Sequence, residues 1–402
     1  MKNAYIKRIL ESKIKEYASS FSVVSLTGPR QSGKTTLLKH LFGRDYSYAS
    51  LDDLGTRDMA VNDPKMFLET WKPPLIIDEA QYSPGLFSQI KIKVDDKPRQ
   101  KGMYLITGSQ QFLLMKNFTE TLAGRIGILS LPPLSLDELS AFTGLSDTLD
   151  LFEQACLKGS FPQLHIEKTA RVYGWYEGYL QTYIERDVKT LYNIGNLLSF
   201  SSFVKILASR CGQVLNMSAL SSDIGVAVST IKSWISILEA SGIIYLLYPY
   251  HANIRTRLAK SPKAYFMDTG LVCHLNNITT KKQLFASPLL GFLFENYCIM
   301  EVVKNCKNRG ERERIFFFRT SKGVEVDLVV EGRAGYALIE IKSGMRIDSS
   351  ITDSIKAAMR LNKNFAKARG YVLTFGKETL AAGETIEFIS PRNLLSRLRQ
   401  SS

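Results

Sequence analysis

The 402-residue chain is 45% hydrophobic and 22% charged, and its formal net charge at pH 7 is +14. This length exceeds what one hydrophobic core usually organises, so we expect about two to four domains. No stretch approaches the roughly 18 apolar residues of a membrane-spanning helix, and the charged N-terminus does not resemble a signal peptide. Five scattered cysteines without a C-x-x-C spacing argue against a disulfide framework or a zinc site. We therefore expect a cytoplasmic protein with no membrane partner.

The positive charge is concentrated in the C-terminal part of the chain. Residues 1–145 carry a net charge of +4, whereas residues 146–402 carry +10. A basic excess of this kind favours a polyanionic partner such as nucleic acid. A basic surface that contacts only solvent is about equally compatible with the charge alone.

The segment GPRQSGKT lies between an apolar run that predicts a strand and a run that predicts a helix. Its glycines let backbone N–H groups curl around phosphates, and the helix N-terminus adds positive potential. The spacing G-x-x-x-x-G-K-[ST] places the lysine near the β- and γ-phosphates and the threonine hydroxyl beside Mg²⁺. A chance match in a structural loop is the alternative, and the flanking strand and helix disfavour it. The predicted nucleotide-binding residues are Gly28, Pro29, Arg30, Gln31, Ser32, Gly33, Lys34, Thr35 and Thr36.

A second apolar run, PPLIIDEAQ, ends in Asp78 and Glu79. A buried parallel strand delivers the side chains at its C-terminal end into the crevice where ligands bind. We predict that Asp78 belongs to the Mg²⁺ shell and that Glu79 orients and polarises the attacking water. Taken alone, the pair would be interpreted as a helix cap at a strand end; the phosphate loop favours the functional interpretation.

Two further positions are candidates for the same site. The run GMYLITGSQ ends in Thr107 and Ser109, which would either sense the γ-phosphate or serve as ordinary turn residues. Arg125 directly precedes another apolar run. An arginine there would contact a phosphate, in cis or from a neighbouring subunit, or would be a plain surface arginine.

These motifs, in this order, resemble the AAA+ class of P-loop ATPases. The segments LAGRIGILSLPPLSLDEL, GSFPQ, YIERDV and FMDTGL are similar to one bacterial and archaeal family within that class. Its members join such an ATPase to a C-terminal domain of uncharacterised function. The resemblance covers nearly the whole chain. It implies an ATP- and Mg²⁺-binding module with a helical lid, and a dimer or ring in which Arg125 acts in trans.

Residues 215–250 predict a helix-turn-helix followed by a strand. A short helix (218–223) meets a turn at Gly225, and Ser229 is predicted to cap a second helix that stops at Gly242. The pattern resembles winged-helix modules, which implies that Lys232 and its neighbours lie near DNA rather than RNA. The basic residues that follow would bind phosphates without reading sequence; they are Arg255, Arg257, Lys260 and Lys263. A packing role without DNA is the open alternative.

The segment VEVDLVVEGRAGYALIEIKSG (324–344) alternates apolar and charged residues and predicts a β-hairpin. With the turn centred between residues 333 and 334, Asp327 lies opposite Glu340, and Glu325 lies opposite Lys342. Directly opposed side chains have Cβ atoms about 4.5–5.5 Å apart. A salt bridge would explain the second pair. The first pair is like-charged and requires something positive nearby, such as Mg²⁺.

An aspartate followed on the next strand by Glu-x-Lys is similar to the PD-(D/E)xK nuclease superfamily. The resemblance implies that Asp327 and Glu340 are metal ligands and that Lys342 is the catalytic lysine. Glu295, in the upstream helical run LLGFLFENYCIMEVV, matches the acidic helix residue of that superfamily. Val326 stands where the superfamily pattern has proline. A nuclease-like fold used only for binding therefore remains an alternative to live cleavage.

The combined prediction is an α/β protein in four parts. They are an AAA+-like P-loop ATPase domain (1–145), a helical lid and connector (146–210), a winged helix (211–265) and a nuclease-like α/β domain (266–402). Under one hypothesis, ATP controls a C-terminal half that binds nucleic acid and cleaves it with Mg²⁺. Under the other, ATP drives a regulatory switch whose C-terminal domain binds DNA or protein without cutting.

Overall fold

The computed structural model describes residues 5–108, 121–167, 169–184, 188, 196–251, 253, 257, 260–333, 335–344, 349–376, 380–381 and 385–401. The chain divides into two compact units. The first contains residues 1–134, 240–242 and 306–312. The second contains residues 135–239, 243–305 and 313–402. The division into four parts stays a prediction.

The first unit is built on a five-stranded parallel sheet with the strand order β2-β3-β4-β1-β5. The central strands consist of continuous buried residues, as expected for parallel strands that are covered on both faces. The strands are β1 (Val23–Thr27), β2 (Ser47–Ser50), β3 (Leu75–Asp78), β4 (Tyr104–Thr107) and β5 (Ile126–Ser130). The helices are α1 (Glu11–Ser20), α2 (Lys34–Phe42), α3 (Leu54–Asn62), α4 (Pro64–Thr70) and α5 (Leu86–Asp95).

Helices of the first unit begin where the sequence supplies a cap. Asp53 accepts a hydrogen bond from the backbone N–H of Thr56 and starts α3. Asp63 caps α4 in the same way, and Pro64 occupies the first helical position, where its missing N–H costs nothing. Helix α2 begins directly after Gly33, whose φ is 93°. The N-terminus of α2 therefore opens onto the loop that precedes it.

The second unit starts with helices. They are α6 (Leu136–Thr143), α7 (Thr148–Leu157), α8 (Pro162–Ile166), α9 (Val172–Thr182), α10 (Leu197–Ser209), α11 (Met217–Ile224) and α12 (Val228–Ala240). Gly225 ends α11 in the left-handed conformation, as the sequence predicts. The expectation that Ser229 caps α12 is wrong: the helix already begins at Val228, so Ser229 lies in its first turn.

An antiparallel strand pair follows α12, and three helices follow the pair. The strands are β6 (Ile244–Leu247) and β7 (Lys263–Phe266). The helices are α13 (Thr269–Leu275), α14 (Lys281–Ala286) and α15 (Leu290–Asn308). The order helix, turn, helix, strand pair is the one that the winged-helix resemblance implies. Assignment of a winged helix stays a prediction.

A six-stranded mixed sheet with the strand order β12-β13-β11-β10-β9-β8 lies in the second unit. The strands are β8 (Ile315–Arg319), β9 (Glu325–Gly332), β10 (Gly335–Ile341), β11 (Arg369–Leu373), β12 (Leu380–Ala381) and β13 (Ile386–Ile389). The helices α16 (Asp353–Leu361) and α17 (Pro391–Ser401) complete it. The apolar side of the hairpin packs in a core with α16, which buries Ile355 and Ala358.

The predicted fold class is confirmed. An α/β chain carries a parallel P-loop sheet at its N-terminal end and a separate sheet-containing part at its C-terminal end. Within the described part of the chain, we find no helix both long and apolar enough to cross a membrane. The side chains of Cys156, Cys211, Cys273 and Cys298 are buried.

Candidate functional site

The phosphate loop connects β1 to α2 at the carboxyl edge of the parallel sheet. Gly28 has a φ of 138°, and a Cβ placed there would collide with the carbonyl oxygen of Leu131. Only glycine fits this position. Gln31, in the middle of the loop, has a φ of 62°, which is uncommon for a residue with a side chain. Strained backbone of this kind is found where a loop is shaped around a ligand.

Lys34 lies at the first position of α2, and its side chain is buried. Its ammonium group donates to the carbonyl oxygens of Gly28, at 3.0 Å, and Pro29, at 2.9 Å. The charge of Lys34 is therefore held over the loop itself. This is the position from which a lysine binds the phosphates of a nucleotide.

The Asp78 carboxylate, at the end of β3, accepts hydrogen bonds from three hydroxyl groups. Thr35 donates to both carboxylate oxygens, at 2.9 and 3.0 Å, and Tyr48 donates to Oδ2 at 2.9 Å. Thr107, at the end of β4, also donates to Asp78. Burial and the nearby Asp78 charge raise the pKa of Tyr48 to about 12, so this hydroxyl stays protonated. A hydroxyl beside a carboxylate suits the oxygen-preferring Mg²⁺, so Thr35 and Asp78 fit the predicted ion.

Glu79 follows Asp78 in the left-handed region, with a φ of 55°. This conformation turns the chain sharply at the strand end. The side-chain amide of Gln81 donates to the Glu79 carboxylate, and Gln81 is itself buried. The sequence analysis did not identify Gln81 or Tyr48, because neither position belongs to a recognised spacing.

Arg125 lies at the opposite edge of the sheet from the phosphate loop. It directly precedes β5, which runs parallel to β1 with Ile126 opposite Val23, the first residue of β1. The Arg125 guanidinium donates two hydrogen bonds to the Asp95 carboxylate, one of 2.5 Å and one of 3.0 Å. The interpretation that Arg125 acts in cis is therefore wrong, because the strand length separates it from its own loop. Action on a neighbouring copy stays a prediction.

One positioning residue was missed because it lies outside every motif. Arg8 is buried, and its guanidinium donates to the carbonyl oxygen of Ser32 at 2.8 Å and to that of Pro132 at 2.7 Å. It thereby ties the middle of the phosphate loop to the segment after β5. Ser109 lies outside the described residues.

The hairpin pairs in the predicted register. Gly335 pairs with Gly332, and the antiparallel pairing continues to Ile339 opposite Leu328. Extended by one residue, that register places Glu340 opposite Asp327. The backbone N–H of Ile341 donates to Asp327 Oδ2 at 2.8 Å, which confirms that Asp327 reaches the neighbouring strand beside Glu340.

The predicted salt bridge between Glu325 and Lys342 is wrong. Lys342 Nζ lies 2.7 Å from Glu340 Oε1. Glu325 instead contacts Lys263 Nζ at 2.8 Å and Arg319 Nε at 3.4 Å. The physical reason is that Lys263, which lies in β7 outside the hairpin, forms the ion pair with Glu325.

Strand β7 contributes two side chains that contact Glu295. Lys263 Nζ lies 3.2 Å from Glu295 Oε1, and the Tyr265 hydroxyl donates to the same oxygen at 2.5 Å. Residues two apart on a strand face the same side, so both reach α15, which carries Glu295. We call Glu295, Glu325, Asp327 and Glu340, with Lys263 and Lys342, the carboxylate cluster. The expectation that Lys263 grips phosphates is wrong, because its side chain is buried and contacts Glu295 and Glu325. Sequence reasoning did not place Lys263 in the cluster, because no spacing links β7 to the hairpin.

Burial dominates the electrostatics of the carboxylate cluster. Burial, followed by the charge of Asp327, raises the pKa of Glu340 to about 7. Burial also raises the pKa of Asp327 and of Glu295. Burial alone would lower the pKa of Lys263, but the neighbouring carboxylates outweigh it and raise that pKa to about 12. The charges of Lys263 and Lys342 oppose this effect of burial, because they favour the ionised form of the carboxyl groups.

The cluster offers a metal ion two carboxylates rather than three. Across the residues that the structure describes, no three His, Cys, Asp or Glu side chains are grouped to hold a metal. Glu340 Oε2 is buried and has no hydrogen-bond partner among those residues. Its neighbour across the strands is Asp327. This pair fits one oxygen-preferring cation, and the roles of Glu295, Asp327 and Glu340 as ligands stay predictions.

The candidate DNA-facing surface of α12 carries little positive charge. Ser229, Lys232 and Ser233 are exposed on it, whereas Ile231 and Ile235 are buried. Arg255 lies outside the described residues.

Family models match three separate segments of the chain. The family model of an AAA domain matches residues 20–140. Models of two domains of unknown function, DUF8612 and DUF4143, match residues 149–282 and 290–394. Uncharacterized proteins of Mycobacterium tuberculosis and Mycobacterium bovis are each 31% identical over 339 residues, which is 84% of this chain and 73% of each relative.

Solved structures are more distant. A Walker-type ATPase of Pyrococcus abyssi is 14% identical and matches with a TM-score of 0.48, over 68% of this chain and 97% of its own. The RuvB Holliday junction branch migration motor of Thermotoga maritima is 17% identical, with a TM-score of 0.32, over 59% of this chain and 88% of its own.

Proposed function

Since the chain belongs to the same family as the two mycobacterial relatives and its residues 20–140 match an AAA domain, we propose that its ATP cycle controls a C-terminal unit that binds and cleaves nucleic acid. ATP binding and hydrolysis follow from the AAA domain and its complete phosphate loop. The proposal is that the C-terminal unit binds nucleic acid, that it cleaves this nucleic acid, and that the ATP cycle controls both steps.

The ATPase chemistry is assigned to residues at the carboxyl edge of the parallel sheet. Lys34 and the backbone N–H groups of the loop bind the β- and γ-phosphates. Thr35 and Asp78 would hold Mg²⁺, which supplies neutralising charge to the phosphates when bound. Glu79 orients the attacking water and polarises its O–H bond. Thr107 contacts the γ-phosphate end of the site.

Arg125 completes this site from a neighbouring copy of the chain. Its place at the far edge of the sheet suits an arginine that faces outward rather than toward its own loop. Its present partner, Asp95, is a surface carboxylate, so the ion pair is weak and exchanges readily for a phosphate. A homo-oligomer is therefore part of the proposal.

The hairpin register is the observation that carries the cleavage proposal. It brings Asp327 beside Glu340 and leaves the buried oxygen Oε2 of Glu340 without a protein partner among the described residues. Lys342 lies against the other oxygen of Glu340, and 43% of its side chain is exposed. A cation on the carboxylate pair would supply a hydroxide nucleophile at neutral pH. Lys342 would then stabilise negative charge that develops on the phosphate.

Charge supports a nucleic-acid substrate. The net charge of +10 on residues 146–402 favours a polyanion, and exposed Lys232 on α12 would contact phosphates rather than read bases. DNA is favoured over RNA because the order of α11, α12 and the β6–β7 pair resembles a DNA-binding module.

A cleavage assay tests this proposal. Circular and linear DNA are incubated with Mg²⁺ or Mn²⁺, with and without ATP, and the wild type is compared with Asp327→Ala and Lys342→Ala. Glu331→Gln, at the other end of the hairpin, is the matched control. Cutting that both cluster variants lose and the control keeps is the expected result. No cutting by a preparation that hydrolyses ATP would overturn the cleavage part.

A second candidate function is an ATP-driven switch that binds DNA or protein without cutting. Two observations favour it: Val326 replaces the proline of the nuclease pattern, and Lys263 already neutralises part of the carboxylate cluster. This candidate expects slow ATP turnover and no metal-dependent cuts. Detection of cuts that Asp327→Ala abolishes would exclude it.

A further inference from the structure

Lys263 is a deeply buried cation in a site whose sequence motif does not include it. Only 6% of its side chain is exposed, against 43% for Lys342. It bridges Glu295 on α15 and Glu325 on β9, at 3.2 and 2.8 Å. Both contacts are short enough for charge-assisted hydrogen bonds.

The surroundings of Lys263 fix it in place. Its backbone lies in β7, where it pairs with Leu247 of β6. Its ammonium group also lies 5.5 Å from the centre of the Phe317 ring. Tyr265, two residues along the same strand, donates to the oxygen of Glu295 that Lys263 also contacts. A side chain held by two strands and a helix has little freedom to turn toward an incoming phosphate.

Charge balance in the cluster depends on this lysine. The cluster has four carboxylates (Glu295, Glu325, Asp327 and Glu340) and two lysines (Lys263 and Lys342). Arg319 is not part of the cluster but contacts Glu325, so its charge is counted with them. With every group ionised, four negative charges meet three positive ones. One excess negative charge does not match the charge of a divalent cation, whereas removal of Lys263 would leave two.

We propose that Lys263 is a built-in cation that occupies the Glu295–Glu325 side of the carboxylate cluster and lowers the affinity of the Asp327–Glu340 pair for a divalent metal. This inference rests on the proposed function, which places a cation on that pair. Two like charges in one partly desolvated cluster repel each other more strongly than they would in water. Lys263 therefore restricts the cluster to a single, weakly held ion.

The competing role, direct contact of Lys263 with a phosphodiester, fits the exposures poorly. Lys263 is enclosed and already bridges two carboxylates, whereas Lys342 is accessible and contacts only Glu340 among the described ion pairs. Of the two lysines, Lys342 is placed to contact substrate. Lys263 is a positioning residue that acts through charge.

Direct Mn²⁺ binding tests the inference without any activity assay. The full chain, free of nucleotide, is titrated with Mn²⁺ while free Mn²⁺ is followed by electron paramagnetic resonance. Wild type is compared with Lys263→Met, Lys263→Arg and the matched control Lys260→Met, whose lysine is exposed in the same segment. Asp327→Ala in each background identifies the binding that belongs to the cluster.

The expected result is that Lys263→Met raises the Mn²⁺ affinity of the Asp327-dependent site at least about tenfold. Lys263→Arg and Lys260→Met should match the wild type. Loss of a buried ion-pair partner is destabilising, so Lys263→Gln replaces the methionine variant if that one does not fold. Its melting temperature should then rise on addition of Mn²⁺ more than that of the wild type.

Two outcomes would overturn the inference, and only one of them would also contradict the metal site of the proposed function. Equal Asp327-dependent affinity in wild type and Lys263→Met would remove the role of Lys263 and leave the metal site in place. Absence of Asp327-dependent Mn²⁺ binding in both would remove the inference together with the metal site of the proposed function.

Discussion

The phosphate loop and the carboxylate cluster are both buried, charged sites, and their lysines are held by different kinds of contact. At the loop, the Lys34 ammonium donates to the backbone carbonyl oxygens of Gly28 and Pro29. At the cluster, each of the carboxylates Glu295, Glu325 and Glu340 contacts a lysine of the same chain. The loop therefore holds its lysine over the backbone that would receive a phosphate, whereas the cluster supplies much of its own counter-charge.

The two sites should therefore respond differently when a charged side chain is removed. A site that balances its charge with a ligand should lose binding and turnover when its cation is removed. A site that balances its charge internally should change first in stability, pH dependence and metal affinity. The four variants below separate these responses, from the largest expected effect to the smallest.

Lys34→Ala should abolish ATP binding and lower turnover at least about 1,000-fold, because the loop loses the lysine held over its carbonyl oxygens. Binding of a fluorescent ATP analogue and release of phosphate are the measurements. Lys97→Ala, an exposed lysine of the same unit, is the control and should behave as wild type. Unchanged turnover in Lys34→Ala would mean that the loop is not the ATP site.

Arg125→Ala should lower turnover about 1,000-fold with little change in ATP binding, because a transition-state arginine is lost. Asp95→Ala, which removes its partner in the present structure, should retain activity. A mixture of Arg125→Ala and Lys34→Ala proteins should recover activity, since some interfaces then join an intact loop to an intact arginine. Full activity of Arg125→Ala alone would show that the site is complete within one chain.

Glu79→Gln should retain ATP binding and lower turnover about 100-fold, because an amide does not accept the proton of the attacking water. Gln81→Ala should give a smaller loss in turnover, because the Glu79 carboxylate loses the amide that orients it. Rate against ATP concentration distinguishes these effects from weaker binding. A large rise in KM at constant kcat would contradict the assignment of Glu79.

Glu340→Gln should change the pH dependence of stability rather than ATP turnover. The pKa of Glu340 is raised to about 7 in the folded protein, so its contribution is fully present below about pH 4.5 and is lost as the pH rises through 7. The free energy of unfolding of wild type, measured in chelator, should therefore fall between pH 5 and pH 8. The variant should lose roughly 2 kcal/mol of that difference.

Denaturant titrations at pH 5 and pH 8 make this comparison, with Glu331→Gln as the control on the same hairpin. The same pH dependence in wild type and Glu340→Gln would contradict the internal charge balance of the cluster. It would leave the ATP site untouched.

The phosphate loop could be predicted from sequence because its chemistry is local. Gly28 through Thr35 are contiguous, and each residue type has a fixed task in one turn of chain. Asp78 was also accessible, since the carboxyl ends of parallel strands meet at one edge of a sheet. Tyr48, Gln81 and Arg8 were not, because ordinary residue types at ordinary spacings give no indication of what they contact.

The carboxylate cluster was only half predictable for the same reason. The hairpin register followed from alternation and turn position, and the structure pairs the strands as expected. The partner of Glu325 did not follow, because Lys263 comes from a strand more than sixty residues upstream. Local pairing rules identify neighbours within a hairpin and cannot include a side chain that tertiary packing brings in.

The most direct test of the central claim is whether nucleotide state changes nucleic-acid affinity. Fluorescence anisotropy of a labelled duplex DNA would be measured with the wild type in ADP and in a non-hydrolysable ATP analogue, with Lys34→Ala as the control. We predict a DNA affinity that differs at least about fivefold between the two nucleotides and no such difference in Lys34→Ala. Equal affinity in both nucleotides, or no DNA binding in either, would contradict the claim that ATP controls a nucleic-acid-binding unit.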